Sequence, residues 1–324
     1  MRRLIVVGTL LLLTPLLWAA AQNPLETAKQ AFLAGRFAEA AATLKQAAQS
    51  GPNNAMLHYW LGRCYYELRH NEQASEEVEK AIKLDGRNSD FHFWMGRIYG
   101  RMAETHRSLW LGIKTGKEFQ MAVQLNPKNI PARRALMEFY ASAPWIVGGS
   151  RSKAQEQITA IAAQNRIQGE LAQADYDHMI GNLAGARAQY QKVLAENAAS
   201  PTEYYEAADF YAGQRNAADL QRAVGQVQRI APNDPRLGYY QGVLLAIQNK
   251  QLEEAETYLK AYLAATVDRT NYPPHADART WLGHVYEEMG RRLEAAEQYR
   301  AALEIDPNSG FAKQSLRLLE KQLN

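Results

Sequence analysis

ADARTWLGHVYEEMGRRLEAAEQYRAALEIDP, residues 276–307, is the stretch whose reading decides the fold. Its landmarks are Leu282-Gly283, Tyr286, Gly290, Ala295, Tyr299, Ala302 and Pro307. Apolar and small residues recurring every three to four positions describe two short helices, and the proline after Ile305-Asp306 stops the second. The same spacings return far upstream in LGRCYYELRHNEQASEEVEKA, residues 61–81, at Leu61-Gly62, Tyr65, Ala74, Val78 and Ala81. Glycines such as Gly62, Gly96 and Gly283 let a neighbouring helix approach. Ala74 and Ala81, or Ala295 and Ala302, keep the second helix slim on the facing side. A unit that recurs at such a distance is a repeat, and chain length then says little about domain number.

The pattern resembles the tetratricopeptide repeat, a helix-turn-helix of roughly 34 residues. In that frame about eight units fill residues 22–308, starting near Ala21, Ala55, Ser89, Ile130, Ile167, Pro201, Arg236 and Ala276. The resemblance implies an all-α, right-handed superhelical solenoid. The amphipathic segment 309–324, with Phe311, Leu316, Leu319 and Leu323, is predicted to cap it. Tyr65, Tyr99, Tyr140, Tyr211 and Tyr286 recur at one position of the first helix and read as core. Pro52, Pro127, Pro232 and Pro307 read as stops after second helices. Residues 267–275, with Asn271-Tyr272-Pro273-Pro274, read as a turn or short linker. Trp60, Trp94 and Trp281 stand just before the Leu-Gly or Met-Gly pair, which departs from the family's usual aromatic position.

At the N-terminus, Arg2-Arg3, the apolar run Leu4–Leu17 and Ala19-Ala20-Ala21 read as a cleavable secretory signal peptide, residues 1–21. No cysteine stands at the cleavage point, so a lipoprotein is not expected. The expectation is an exported, periplasmic protein with no stable membrane span after cleavage. Removing Arg2 and Arg3 lowers the formal net charge from +3 to +1. With both signs interspersed along the helices, nucleic acid is disfavoured as a partner. The lone Cys64 cannot form an intrachain disulfide, and no set of cysteines or histidines has metal-ligand spacing.

Family members commonly bind an extended peptide or another protein on the concave wall formed by the first helices. On that resemblance the fifth and ninth residues of each unit are the candidates. They are Tyr59, Phe93 and Tyr205, with Tyr239 near the same position in the seventh unit, Arg63 and Arg97 one helical turn on, and Arg134 extending the row. A ladder of rings and guanidinium groups suits a peptide with apolar and acidic side chains or a free carboxylate. The Lys and Asn pattern of carboxylate-clamp members is absent.

A second candidate is a pair of apolar insertions at equivalent turns. One lies within Thr105–Gly116 and contains Leu109-Trp110-Leu111-Gly112. The other is residues 143–149, with Trp145, Ile146, Val147, Gly148 and Gly149. They are expected side by side, either packed on each other or offered to a partner, a lipid or a small apolar ligand. Gly148-Gly149-Ser150 leads into a helix, and an ordinary serine cap explains it more simply than an anion site. Gly112–Lys117 is not a phosphate loop, because its glycines are too close and Glu118 replaces the hydroxyl residue. Asp175, Asp177 and His178 read as solvated polar residues. No HExxH, nucleophile elbow or other catalytic arrangement occurs, so the expected activity is binding, without cofactor or catalysis.

Overall fold

The computed structural model describes residues 23–196, 200–267 and 269–323. The proposed signal peptide lies outside these residues. Seventeen α-helices and one turn of 3-10 helix account for the secondary structure, and no strand occurs among the described residues. They are α1 Pro24–Leu33, α2 Phe37–Ser50, α3 Ala55–Glu67, α4 Asn71–Leu84, α5 Ser89–His106, α6 Leu109–Leu125, α7 Ile130–Ser142, α8 Arg151–Ala162 and α9 Arg166–Met179. The rest are α10 Leu183–Ala195, α11 Pro201–Gly213, α12 Ala217–Ile230, α13 Leu237–Gln248, α14 Leu252–Ala265, α15 His275–Glu288, α16 Arg292–Ile305 and α17 Gly310–Leu323. No helix among the described residues is long and apolar enough to cross a membrane.

Every helix packs on the next, but each odd-numbered helix up to α15 also touches its odd-numbered neighbours, whereas among even-numbered helices only α10 and α12 meet. The odd helices therefore converge into one continuous inner wall, and the even helices splay outward. This asymmetry is what curves a stack of helix pairs into a solenoid.

Small residues set the spacing within pairs. A Cβ on Gly96 would lie 2.5 Å from the Phe119 ring, on Gly62 2.5 Å from Val78, and on Gly283 2.7 Å from Tyr299. Ala74, Ala81, Ala295 and Ala302 are fully buried on the facing helices. Of the recurring tyrosines, Tyr140, Tyr211 and Tyr286 are buried, whereas Tyr65 and Tyr99 are half-buried. Each turn within a pair also carries a residue with positive φ: Gly35, Arg69, Arg107, Gly148, Gly181, Arg215, Asn249 and Gly290. Half of these positions hold a side chain where glycine is favoured.

The first expected insertion is not a loop. Its extra residues lengthen α5 and α6, which run to His106 and start at Leu109, so Trp110 stands in the first turn of a helix. Local propensity accounts for this, because Ser108 accepts from the Leu111 N–H and caps α6 at that point. Residues 143–149 do form a connection, built around the 3-10 turn Trp145–Val147. There Ser150 caps α8 by accepting from the Lys153 N–H, so the cap accounts for Gly148-Gly149-Ser150.

Residues 266, 267 and 269–274, between α14 and α15, reach back across the molecule. Arg269 donates to the Leu33 carbonyl at 2.9 Å, and the Thr270 hydroxyl donates to Glu67 at 2.8 Å. Val267 fits over Gly35 so closely that a Cβ there would lie 2.2 Å away. The sequence placed a bend or linker here, and the structure makes it a strap that ties the seventh pair to the first two.

Candidate functional site: the inner channel

The converging odd helices, with part of α6, border an open channel of about 2050 Å³, lined from α1 to α17 and by residues 269–274 of the strap. Its lining includes Tyr66 of α3, Phe93, Arg97 and Arg101 of α5, Arg134 and Glu138 of α7, and Glu206 and Asp209 of α11. Trp281 and Phe311 also line it.

Of the residues singled out in the sequence, Phe93, Arg97, Arg134, Tyr205 and Tyr239 line this channel, while Tyr59 and Arg63 do not. Tyr59, Tyr205 and Tyr239 are only 4–6% exposed. They are packing residues, not an open aromatic ladder. Tyr59 meets Phe91, Tyr205 stacks on Tyr240 at 4.9 Å, and Tyr239 packs on Tyr262. The fifth position of each unit faces the next helix pair as much as the channel, which spacing alone does not reveal.

Arg63 is enclosed by Phe32, Tyr59, Trp60 and Trp94, with its guanidinium carbon 4.0–5.5 Å from the four ring centres. Burial lowers its pKa, opposed by the neighbouring Tyr59. It is a cation held by π faces between helices, not a groove contact. The tryptophans that depart from the family position, Trp60 and Trp94, supply two walls of this cage.

Arg97 keeps the predicted access. Its guanidinium rests over Trp94 at 4.5 Å and Tyr66 at 5.1 Å, and it makes no ion pair with a carboxylate among the described residues. Arg101, one turn further on, lies 3.3 Å from the Tyr66 ring centre and donates to the Tyr66 carbonyl at 2.6 Å. Sequence reasoning missed Arg101. The signal was present, since it continues the i, i+4 series of Phe93 and Arg97 on one helix face.

Arg134 is spent on the protein itself. It makes a two-pronged contact with Glu206 at 3.0 and 2.7 Å and also pairs with Asp175. Burial alone would lower its pKa, but the two carboxylates outweigh it and hold the guanidinium firmly charged. Tyr190 donates to the other oxygen of Asp175 at 2.9 Å. Asp177 belongs to a separate network, accepting from Asn182 and Gln173, and is 7% exposed. Neither aspartate is the solvated residue expected from the sequence.

Beyond Arg134 the wall turns acidic. Glu138 and Asp209 line the channel and are exposed within it, yet the surrounding walls partly desolvate their carboxyl groups. This desolvation raises the pKa of Glu138, against the pull of Arg134. It pushes Asp209 up to about 7, although Tyr240 donates to that carboxylate at 2.6 Å. The channel thus has a cationic, aromatic-backed end at α5 and a carboxylate-rich stretch along α7 and α11.

The second candidate lies on the rim. Trp145 is 84% exposed, and Trp110 and Ile146 are each 62% exposed. Leu111 and Val147 are buried, and Val147 lies near Gly112, where an added Cβ would sit 3.9 Å from its methyl. The two segments touch, as expected, but their large side chains do not cover one another. Gly149 permits the tight return, since a Cβ there would strike the Ala143 carbonyl at 1.8 Å.

Tetratricopeptide-repeat family models match residues 31–99 and 276–309. No curated protein matches the chain. Among solved structures, it is similar to a tetratricopeptide repeat protein from Parabacteroides merdae at 16% identity, over 92% of this chain and 97% of that one, with a TM-score of 0.45. Similarity to the Cut9-Hcn1 hetero-tetramer of APC/C is 14% in identity, over 91% of this chain and 55% of that one, with a TM-score of 0.51. For Pseudomonas aeruginosa pilF the figures are 17% identity, 67% and 95% coverage, and a TM-score of 0.44. At these identities the likeness is one of fold.

Proposed function

We propose that this chain, a tetratricopeptide-repeat protein, is a non-catalytic scaffold of the cell envelope that holds an extended segment of a protein partner in its inner channel. The observation that carries the reading is the pair Arg97 and Arg101. Both guanidinium groups are pre-stacked on aromatic faces, and neither makes an ion pair with a carboxylate among the described residues. Their outward N–H donors suit acidic side chains or a terminal carboxylate of the partner, and little side-chain entropy is lost on binding. The envelope location rests on the sequence of residues 1–21 alone.

A photo-crosslinking residue at Phe93 tests this in cells. A discrete protein adduct is expected there, none with the crosslinker at exposed Leu293 on the outer face, and loss of the adduct with Arg97→Glu and Arg101→Glu together. An adduct indifferent to both reversals sinks the channel reading.

A second reading, carriage of a lipid or small apolar ligand, is favoured by the exposed Trp110, Trp145 and Ile146. Such a ligand would sit against these side chains or in the adjoining channel, whose lining includes Leu109 and Pro144. Mass spectrometry of the gently purified protein distinguishes the two readings by the presence or absence of a co-purifying lipid.

A further inference from the structure

We propose that the rim formed by the start of α6 and the 145–147 turn docks on an anionic lipid surface. Leu109, Trp110, Ile113, Trp145 and Ile146 are 38–84% exposed and lie on two segments, the start of α6 and the 145–147 turn, that pack against each other. Isolated exposed hydrophobes are ordinary, but five on two mutually packed segments, two of them tryptophans, mark an interaction surface.

Charge selects the occupant. Residues 107–117 contain Arg107, Lys114 and Lys117, residues 143–155 contain Arg151 and Lys153, and neither segment has an acidic residue. None of these five cations makes an ion pair among the described residues. Lys114 instead lies 3.7 Å from the Trp110 ring centre and Lys153 5.6 Å from that of Tyr140. Of the acids just beyond the segments, Glu104, Glu118 and Glu156, Glu118 is already bound to His92 at 2.7 Å.

Tryptophan and aliphatic side chains set among unpaired cations fit the interface of a bilayer bearing negative headgroups. A protein partner of this size of patch would need matching carboxylates and a complementary shape, whereas a lipid surface needs neither. The turn is also preorganised. Gly148 at φ +112° and the close return at Gly149 hold Trp145 and Ile146 outward, so little ordering remains to be done on insertion. Because Leu109 and Pro144 also line the channel, docking would turn its mouth towards the lipid.

Hydrogen-exchange mass spectrometry of the full chain locates the contact even if residues 4–17 bind lipid themselves. Vesicles of equal parts phosphatidylglycerol and phosphatidylcholine are expected to protect residues 107–117 and 143–155, and phosphatidylcholine alone to protect them far less. Trp110→Ala, Trp145→Ala and Ile146→Ala together should abolish this protection. Lys114→Glu with Lys117→Glu should weaken it on the order of tenfold or more. Both variants alter exposed side chains, and circular dichroism checks that the fold is kept. Protection confined to other residues, protection that rises with protein concentration without vesicles and so reports a second copy, or protection unchanged by the variants would each overturn the proposal.

Discussion

At the scale of single residues, two histidines carry a repeated device. His58 bridges Glu77 at 2.6 Å and the Pro52 carbonyl at 2.9 Å, and His92 bridges Glu118 at 2.7 Å and the Gly86 carbonyl at 3.2 Å. Each ties a first helix to its partner and to the turn before it. The hydrogen bond to Glu118 raises the pKa of His92, against partial burial. A raised folded-state value means the stabilisation is complete below the unfolded value of 6.5 and fades as pH rises through the folded one. His92→Gln should therefore cost about 1–3 kcal/mol in mildly acid buffer and clearly less in alkaline buffer, compared by urea unfolding. An equal loss at both would show that the ring acts by shape alone. In the sequence the histidines speak only against metal-ligand spacing. Their bridging role was illegible because both glutamates lie on the following helix, 19 and 26 positions away.

At the scale of elements, the glycines separate two causes of constraint. Gly96 has no Cβ because Phe119 occupies that space, so Gly96→Ala should cost about 1–3 kcal/mol through overpacking. Gly181 faces open space at φ +81°, so Gly181→Ala should cost about 1–2 kcal/mol through backbone strain alone. At the equivalent turn Arg107 stands at φ +49°, and Arg107→Gly should raise the urea midpoint. If all three changed stability alike, turn geometry would not be limiting. The packing glycines were legible because Leu-Gly recurs at one spacing. The turn residues were not, since arginine and asparagine occupy positions where glycine would have announced itself. Trp110 was misread as part of a loop for a related reason: extra residues between repeats do not say whether they extend helices or bulge out.

At the scale of the whole molecule, the curvature was readable from the repeat but its closure was not. Contacts between residues 236 positions apart leave no local pattern, and Asn271-Tyr272-Pro273-Pro274 announces only a turn. Arg269→Ala with Glu67→Ala should loosen the strap and increase the radius of gyration measured by X-ray scattering. An unchanged scattering profile would mean that helix stacking alone sets the curvature. The strap has a topological consequence as well. A channel strapped across its side admits a chain more readily end-first, as a bead admits thread, and an internal loop of a folded protein enters fastest when the tie parts. Association with such a loop would then proceed at a rate set by this protein's own opening and become insensitive to partner concentration once that is high, whereas a free terminus would enter without that ceiling.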